Sequence, residues 1–191
     1  LIIERDPGAY AWLERMYVRS SRVRTICRTV TPDSVVALLR DTGVPHDFDV
    51  LSIDIDGLDY YVWQALHEHR ARLVIIEYNG GLPSRPLVQP VDAGPWDGSE
   101  FYGASIEALV ELATVKGYVL AHTELTGLNA FFVRDDLVDR LGPIDPPRRA
   151  VAADLRVGGP PPDSHGRSYV VPVPGRGVDE AAKPAVDGTG P

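Results

Sequence analysis

The sequence predicts an α/β fold, a largely parallel sheet wrapped by helices, and three observations carry that prediction. Short apolar runs of strand length alternate with amphipathic helical stretches through the first two thirds of the chain. The runs at residues 50–55 and 73–78 are predominantly apolar rather than strictly alternating, as in parallel strands covered on both faces. Each run ends in polar residues, Asp54 and Asp56 in the first and Glu77 and Asn79 after the second. Open α/β sheets place their ligand crevice at such carboxyl ends of strands.

Taken in order, residues 1–4 read as a strand end, and Asp6-Pro7 then supplies an N-cap followed by proline at the first helical position. Ala9, Trp12, Leu13, Met16 and Tyr17 fall on one face of the helix that follows. Residues 23–29 form a second strand. Thr31-Pro32 repeats the cap-plus-proline signal before a helix carrying Val35, Val36, Leu38 and Leu39 that ends near Gly43. The strand at 50–55 leads into a short helix over 59–67, and the strand at 73–78 leads into residues 79–102. That stretch is rich in Gly and Pro without periodicity, a long loop of the kind that forms functional lids. Ser105 caps a helix with Ile106, Leu109, Val110 and Ala113 inward, stopped by Gly117. Residues 118–122 and 129–133 read as an antiparallel strand pair. Residues 1–145 therefore form the domain. Residues 146–191 read as a Pro/Gly-rich disordered tail, the change in character being sharpest from Gly158.

The chain has 191 residues, 44% of them hydrophobic, enough for one ordinary core. A formal net charge of -8 argues against a nucleic-acid backbone or an anionic membrane surface as the main partner. Basic residues scattered between Arg15 and Arg28 are the nearest approach to a patch, and they read as a solvated face. One cysteine, Cys27, and no Cys/His cluster at zinc spacing fit a reducing, cytoplasmic setting. No run approaches the length of a membrane span.

Several stretches, in this order, resemble the FkbM-like branch of the S-adenosylmethionine-dependent methyltransferases. They are LIIERDP at 1–7, TPD at 31–33, FDVLSIDIDGLDYYVW at 48–63, LVIIEYN at 73–79, GASIEALVELATVKGY at 103–118 and LNAFFVRDDL at 128–137. The resemblance implies a Rossmann-like class I methyltransferase sheet with an antiparallel last strand. It also implies that the family's first strand and glycine-rich loop would lie before residue 1, so that the sheet as given lacks its first strand. Glu4 would then hold the ribose hydroxyls of the cofactor, a task suited to a carboxylate because it accepts two hydrogen bonds from a diol. Asp54 and Asp56 would lie beside the transferring methyl group, binding cofactor and serving catalysis. Glu77 and Asn79 would face the substrate.

Read as residues, Asp54 and Asp56 are two apart and would point the same way if the strand continued through them, sharing one cation or ligand. The plainer reading is a helix cap and a solvated turn. Asp56, Glu77 and Asn79 together offer oxygen ligands suited to magnesium, which would activate a substrate hydroxyl; a strand-end hydrogen-bond pair is the alternative for the last two. His122, at a strand end, is a candidate general base or else a histidine of the core edge. Tyr60 is close enough to the turn to reach a ligand, although Tyr60, Tyr61 and Trp63 read first as packing. The reaction that the resemblance implies is methyl transfer to an oxygen of a sugar, glycan or secondary metabolite, with the sequence as given expected to be inactive by itself for want of the first strand and glycine-rich loop. An Asp-x-Asp metal-dependent glycosyltransferase, an aspartyl-phosphate phosphatase and a non-catalytic remnant or interaction domain are the alternatives.

Overall fold

A computed structural model describes residues 1–124, 127–141, 160–175 and 182–184. The order of elements is β1 (Ile2–Glu4), α1 (Pro7–Tyr17), β2 (Thr25–Cys27), α2 (Val35–Asp41), β3 (Asp47–Ile53), α3 (Asp59–Ala65) and β4 (Arg70–Glu77). It continues with α4 (Ile106–Lys116), β5 (Tyr118–Thr123), β6 (Asn129–Arg134), a 3-10 helix over Asp135–Arg140, β7 (Val170–Pro172) and β8 (Ala182–Pro184). The α/β alternation expected from the sequence is present. The two strongest cap signals form as read: the Asp6 carboxylate accepts from the Ala9 N–H at 2.7 Å, and the Ser105 hydroxyl from the Ala108 N–H at 3.2 Å. Gly117 ends α4 in the left-handed region, φ 75°.

Hydrogen bonding divides the strands among three groups. β1 and β2 pair in parallel, β7 and β8 pair antiparallel, and a mixed sheet has the order β3-β4-β6-β5. In the mixed sheet β3 and β4 are parallel, with Val50 opposite Leu73 and Ile53 opposite Ile76, whereas β6 runs antiparallel between β4 and β5. The predicted antiparallel pair at the end of the domain is β5 and β6, with a register shift between Leu120 and His122.

Four expectations need correction. β3 stops at Ile53, so Asp54 and Asp56 lie in a turn rather than on a strand. Nor is β3, an edge strand of the mixed sheet, covered on both faces, since Val50 is 53% exposed. The second helix begins at Val35 because Thr31 and Ser34 first close a reciprocal turn, Thr31 N–H to the Ser34 hydroxyl at 2.9 Å and Ser34 N–H to the Thr31 hydroxyl at 3.3 Å. Finally, residues 160–175, read as disordered tail, pack back onto the domain. The N–H groups of Val88 and Val170 each donate to the other's carbonyl, at 2.9 and 2.8 Å. The remainder of the predicted tail is outside the described residues apart from 182–184.

The core forms between α3, α4 and the mixed sheet. α3 is buried nearly all round because it fills the space between sheet and loop: Tyr60, Tyr61, Val62 and Trp63 are each at most 2% exposed. Trp63 lies edge-on to Tyr118, centroids 5.7 Å apart, and 5.0 Å from Phe132 on β6. From α2, Val35 and Leu39 join the same cluster. By contrast α1 buries no residue fully, and its predicted inward face leaves Trp12 57% and Met16 48% exposed.

Candidate functional site

A crevice of about 360 Å³ opens where β1, β2 and β3 end, within the size range of small-molecule sites. One wall is Ile3, Glu4 and Arg5, a second is the turn after β2, and a third is the turn after β3 carrying Asp54 and Asp56. Val91, Gly94 and Pro95 of the long loop close the fourth side. The strand-end location follows from topology. Parallel strands deliver their carboxyl ends, and the turns that follow them, to the same edge of the fold.

The turn after β3 is built around an acid to which the sequence reading gave no role. Asp59, 1% exposed at the first position of α3, accepts from the Ile55 N–H at 3.0 Å and the Gly57 N–H at 2.9 Å. Those two bonds fold residues 54–58 into a loop in which Asp56 takes φ 58°, a left-handed conformation that aspartate tolerates better than most residues. Gly57 is required next. Its φ is 134°, and a Cβ there would stand 2.8 Å from the Gln89 side chain. Burial pushes the Asp59 carboxyl up to about 6, against the pull of the N–H groups of Gly57 and Ile55.

Glu4 and Asp56 are tied to each other's neighbourhood by Arg5. The Glu4 carboxylate accepts from the Asp6 N–H at 2.7 Å through Oε1, and no described residue engages its second oxygen. The Arg5 guanidinium donates to Asp56 at 3.0 Å, joining the end of β1 to the end of β3. Asp54 has no hydrogen-bond partner among the described residues. Although the residue as a whole is exposed, local burial and then the Asp56 charge raise its carboxyl above the usual range. On the opposite wall Arg28 is an exposed guanidinium without an ion pair among the described residues. Among the described residues the crevice thus presents an available carboxylate edge at Glu4, an unpartnered acid at Asp54 and an unpartnered cation at Arg28.

No family model, curated protein or solved structure matches this chain. The site is therefore characterised by its own geometry. Of the residues singled out in the sequence, Glu4, Asp54 and Asp56 come together in the crevice. The other four do not line it. Tyr60 is fully buried, its hydroxyl without a hydrogen-bond partner among the described residues, packed edge-on to Tyr61 at 5.3 Å, and so belongs to the core. His122 is exposed on the edge strand β5 against Phe131. Glu77, half-buried, pairs with Asn129 across β4 and β6.

Asn79 is a structural anchor. Its amide nitrogen donates to the carbonyls of Glu100 and Tyr102 at 2.9 and 3.1 Å and to the Tyr169 hydroxyl at 3.1 Å, while its oxygen accepts from the Gly81 N–H at 3.0 Å. Of the expected magnesium ligands Asp56, Glu77 and Asn79, only Asp56 lines the crevice, and the Asn79 amide is engaged by the loop. Among the described residues no three His, Cys, Asp or Glu side chains are placed to hold a metal ion. The sequence reading missed Asp59, Arg5, Arg28 and Gln89. Only Arg28 had a signal, as the last of the scattered basic residues.

Proposed function

We propose that the chain carries the cofactor-binding half of an S-adenosylmethionine-dependent O-methyltransferase site acting on a small-molecule or glycan acceptor. The observation that carries this reading is the crevice itself, which gathers Glu4, Asp54 and Asp56 at the carboxyl ends of β1 and β3. Supporting it, β6 runs antiparallel inside an otherwise parallel-starting sheet, the arrangement that the resemblance implies.

The residues fit the cofactor on one further point. Glu4 lines a space large enough for a nucleoside, and its second carboxylate oxygen, which no described residue engages, is left to accept from a ribose diol. The cofactor, when bound, supplies an electrophilic methyl group. The chain's own part is to bind, orient and desolvate: Glu4 holds the sugar edge, Asp54 offers an unpaired acid to a cationic or hydroxyl group, and Val91, Gly94 and Pro95 restrict water. The reading uses no magnesium, since Glu77 and Asn79 do not line the crevice that holds Asp56.

A second reading, a non-catalytic interaction domain, draws on the exposed outer edge of β3 around Val50. Calorimetric titration of S-adenosylhomocysteine into the purified chain, in parallel with a version extended upstream by a first strand and glycine-rich loop, separates the two. The expected outcome is saturable binding by the extended form that Glu4→Gln weakens at least tenfold. No binding heat from either form, with both shown to be folded, defeats the methyltransferase reading and favours the interaction domain.

A further inference from the structure

We propose that residues 160–172 form a strap that latches the crevice-lining loop, with Arg167 and Tyr169 as positioning residues controlling access to the crevice. The inference concerns regulation of the proposed site, but the strap geometry does not depend on which ligand the site takes.

The loop from Asn79 to Ser105 has an inner and an outer limb. Gln89 holds the inner limb: its side-chain oxygen accepts from the Gly103 N–H at 2.9 Å, its backbone carbonyl accepts from the Tyr61 hydroxyl at 2.9 Å, and its side chain covers Gly57. The crevice wall at Val91, Gly94 and Pro95 is the span between that anchor and the outer limb. The strap holds the outer limb at several points. The Arg167 guanidinium reaches Asp97 at 2.7 Å and Ser99 at 2.9 Å, is braced by Asp163 at 2.7 Å, and lies over the Phe101 ring at 4.5 Å. The Tyr169 hydroxyl accepts from the Tyr102 N–H and from the Asn79 amide, each at 3.1 Å, and donates to the Glu100 carbonyl at 3.0 Å. The Pro161 carbonyl accepts from the Glu100 N–H at 2.8 Å.

One hydroxyl thus joins the first residue of the loop to its last turn, and one guanidinium fixes the residues just beyond the crevice wall. Hydrogen bonding from Arg167 holds the Asp163 carboxyl down at about 2, so the latch stays charged across the neutral range. The strap also touches the inner limb, through the reciprocal backbone pair of Val88 and Val170. When the Arg167 and Tyr169 contacts are lost, the outer limb is freed of these side-chain anchors while Gln89 and the Val88–Val170 pair keep the inner one. The wall at 91–95 then hinges away from the turn after β3.

The test uses the full chain with Ile55→Cys placed in the crevice and Cys27→Ser removing the native thiol. Amide hydrogen exchange and the rate of maleimide labelling at position 55 are read with the strap intact and with Arg167→Ala plus Tyr169→Phe. Expected are at least tenfold faster exchange confined to residues 91–102 and at least threefold faster labelling, with the amides of β3, β4 and β6 unchanged. Faster loop exchange with unchanged labelling, or no change in either, overturns the proposal. If the double variant loosens the whole domain, Tyr169→Phe alone decides. It should give a smaller rise in the same two readouts, and their absence overturns the strap. No readout uses the cofactor, so a failure here is separate from a failure of S-adenosylhomocysteine to bind.

Discussion

Asp59 shapes the candidate site more than the two acids that drew attention to it, because its carboxylate supplies the bonds that hold Asp56 left-handed and Gly57 against Gln89. Its raised proton affinity has a consequence for stability. The folded carboxyl titrates near 6 and the unfolded one near 3.8, so between those values the folded state holds the extra proton. Stability from this group is full below about pH 4 and is lost as pH rises through 6, a change of order 1–3 kcal/mol. Carboxyls held low, Asp163 and Asp136 by arginine and Asp97 chiefly by hydrogen bonds from Ser99, act in the opposite sense and only at lower pH. Urea midpoints measured from pH 4 to 7 should therefore fall across the 4–6 window, and Asp59→Asn should flatten that slope whatever it does to absolute stability. An unchanged slope in the variant would remove Asp59 as its source. Asp59 was hard to find by reading the sequence, since an acid at the start of a helix looks like an ordinary cap and nothing local shows that it will be buried.

At the scale of elements, Ser105 joins α4 to the loop. Its hydroxyl accepts from the N–H groups of Leu87 and Ala108 and donates to the Arg85 carbonyl at 2.9 Å, in a residue 1% exposed. Ser105→Ala leaves those buried groups short of a partner and should cost about 1–3 kcal/mol in urea denaturation, more than a surface cap would. A loss below about 0.5 kcal/mol would mean that water replaces the hydroxyl. Elements with local signals were legible: the caps at Asp6 and Ser105, the stop at Gly117, and the strand pair β5 and β6. Those whose limits depend on partners were not. β3 ends two residues early because Asp59 captures the Ile55 N–H, and α2 starts late because Thr31 and Ser34 bond each other first.

For the whole molecule the question is what holds the β1-β2 pair against the mixed sheet. The Arg5–Asp56 ion pair spans the junction, yet its side chains are 49% and 37% exposed, so it contributes at most about 1 kcal/mol. Apolar burial starts just beyond β2, where Val30 packs against the common core, and continues in α2, where Leu39 is 6% exposed within it. Thermal or urea unfolding should accordingly show Arg5→Ala costing under about 1 kcal/mol and Leu39→Ala about 2–5 kcal/mol. The reverse ranking would mean that the exposed ion pair outweighs core packing in holding the fold. The α/β class and the strand-end location of the acids could be read from apolar runs and their polar ends. The return of residues 160–175 could not, because that contact pairs side chains across the length of the domain and leaves no periodicity behind.

That return sets an order in time. Asn79 and Tyr169 stand 90 residues apart in the chain, so at roughly 5–20 residues per second a ribosome needs roughly 5–20 s to make the second after the first. Over that interval the core can already pack while the outer limb of the loop has no Arg167 or Tyr169 to meet. During synthesis the crevice is therefore complete on three sides before the fourth is fastened, and a ligand present in that window meets a wider mouth than it will find on the finished protein.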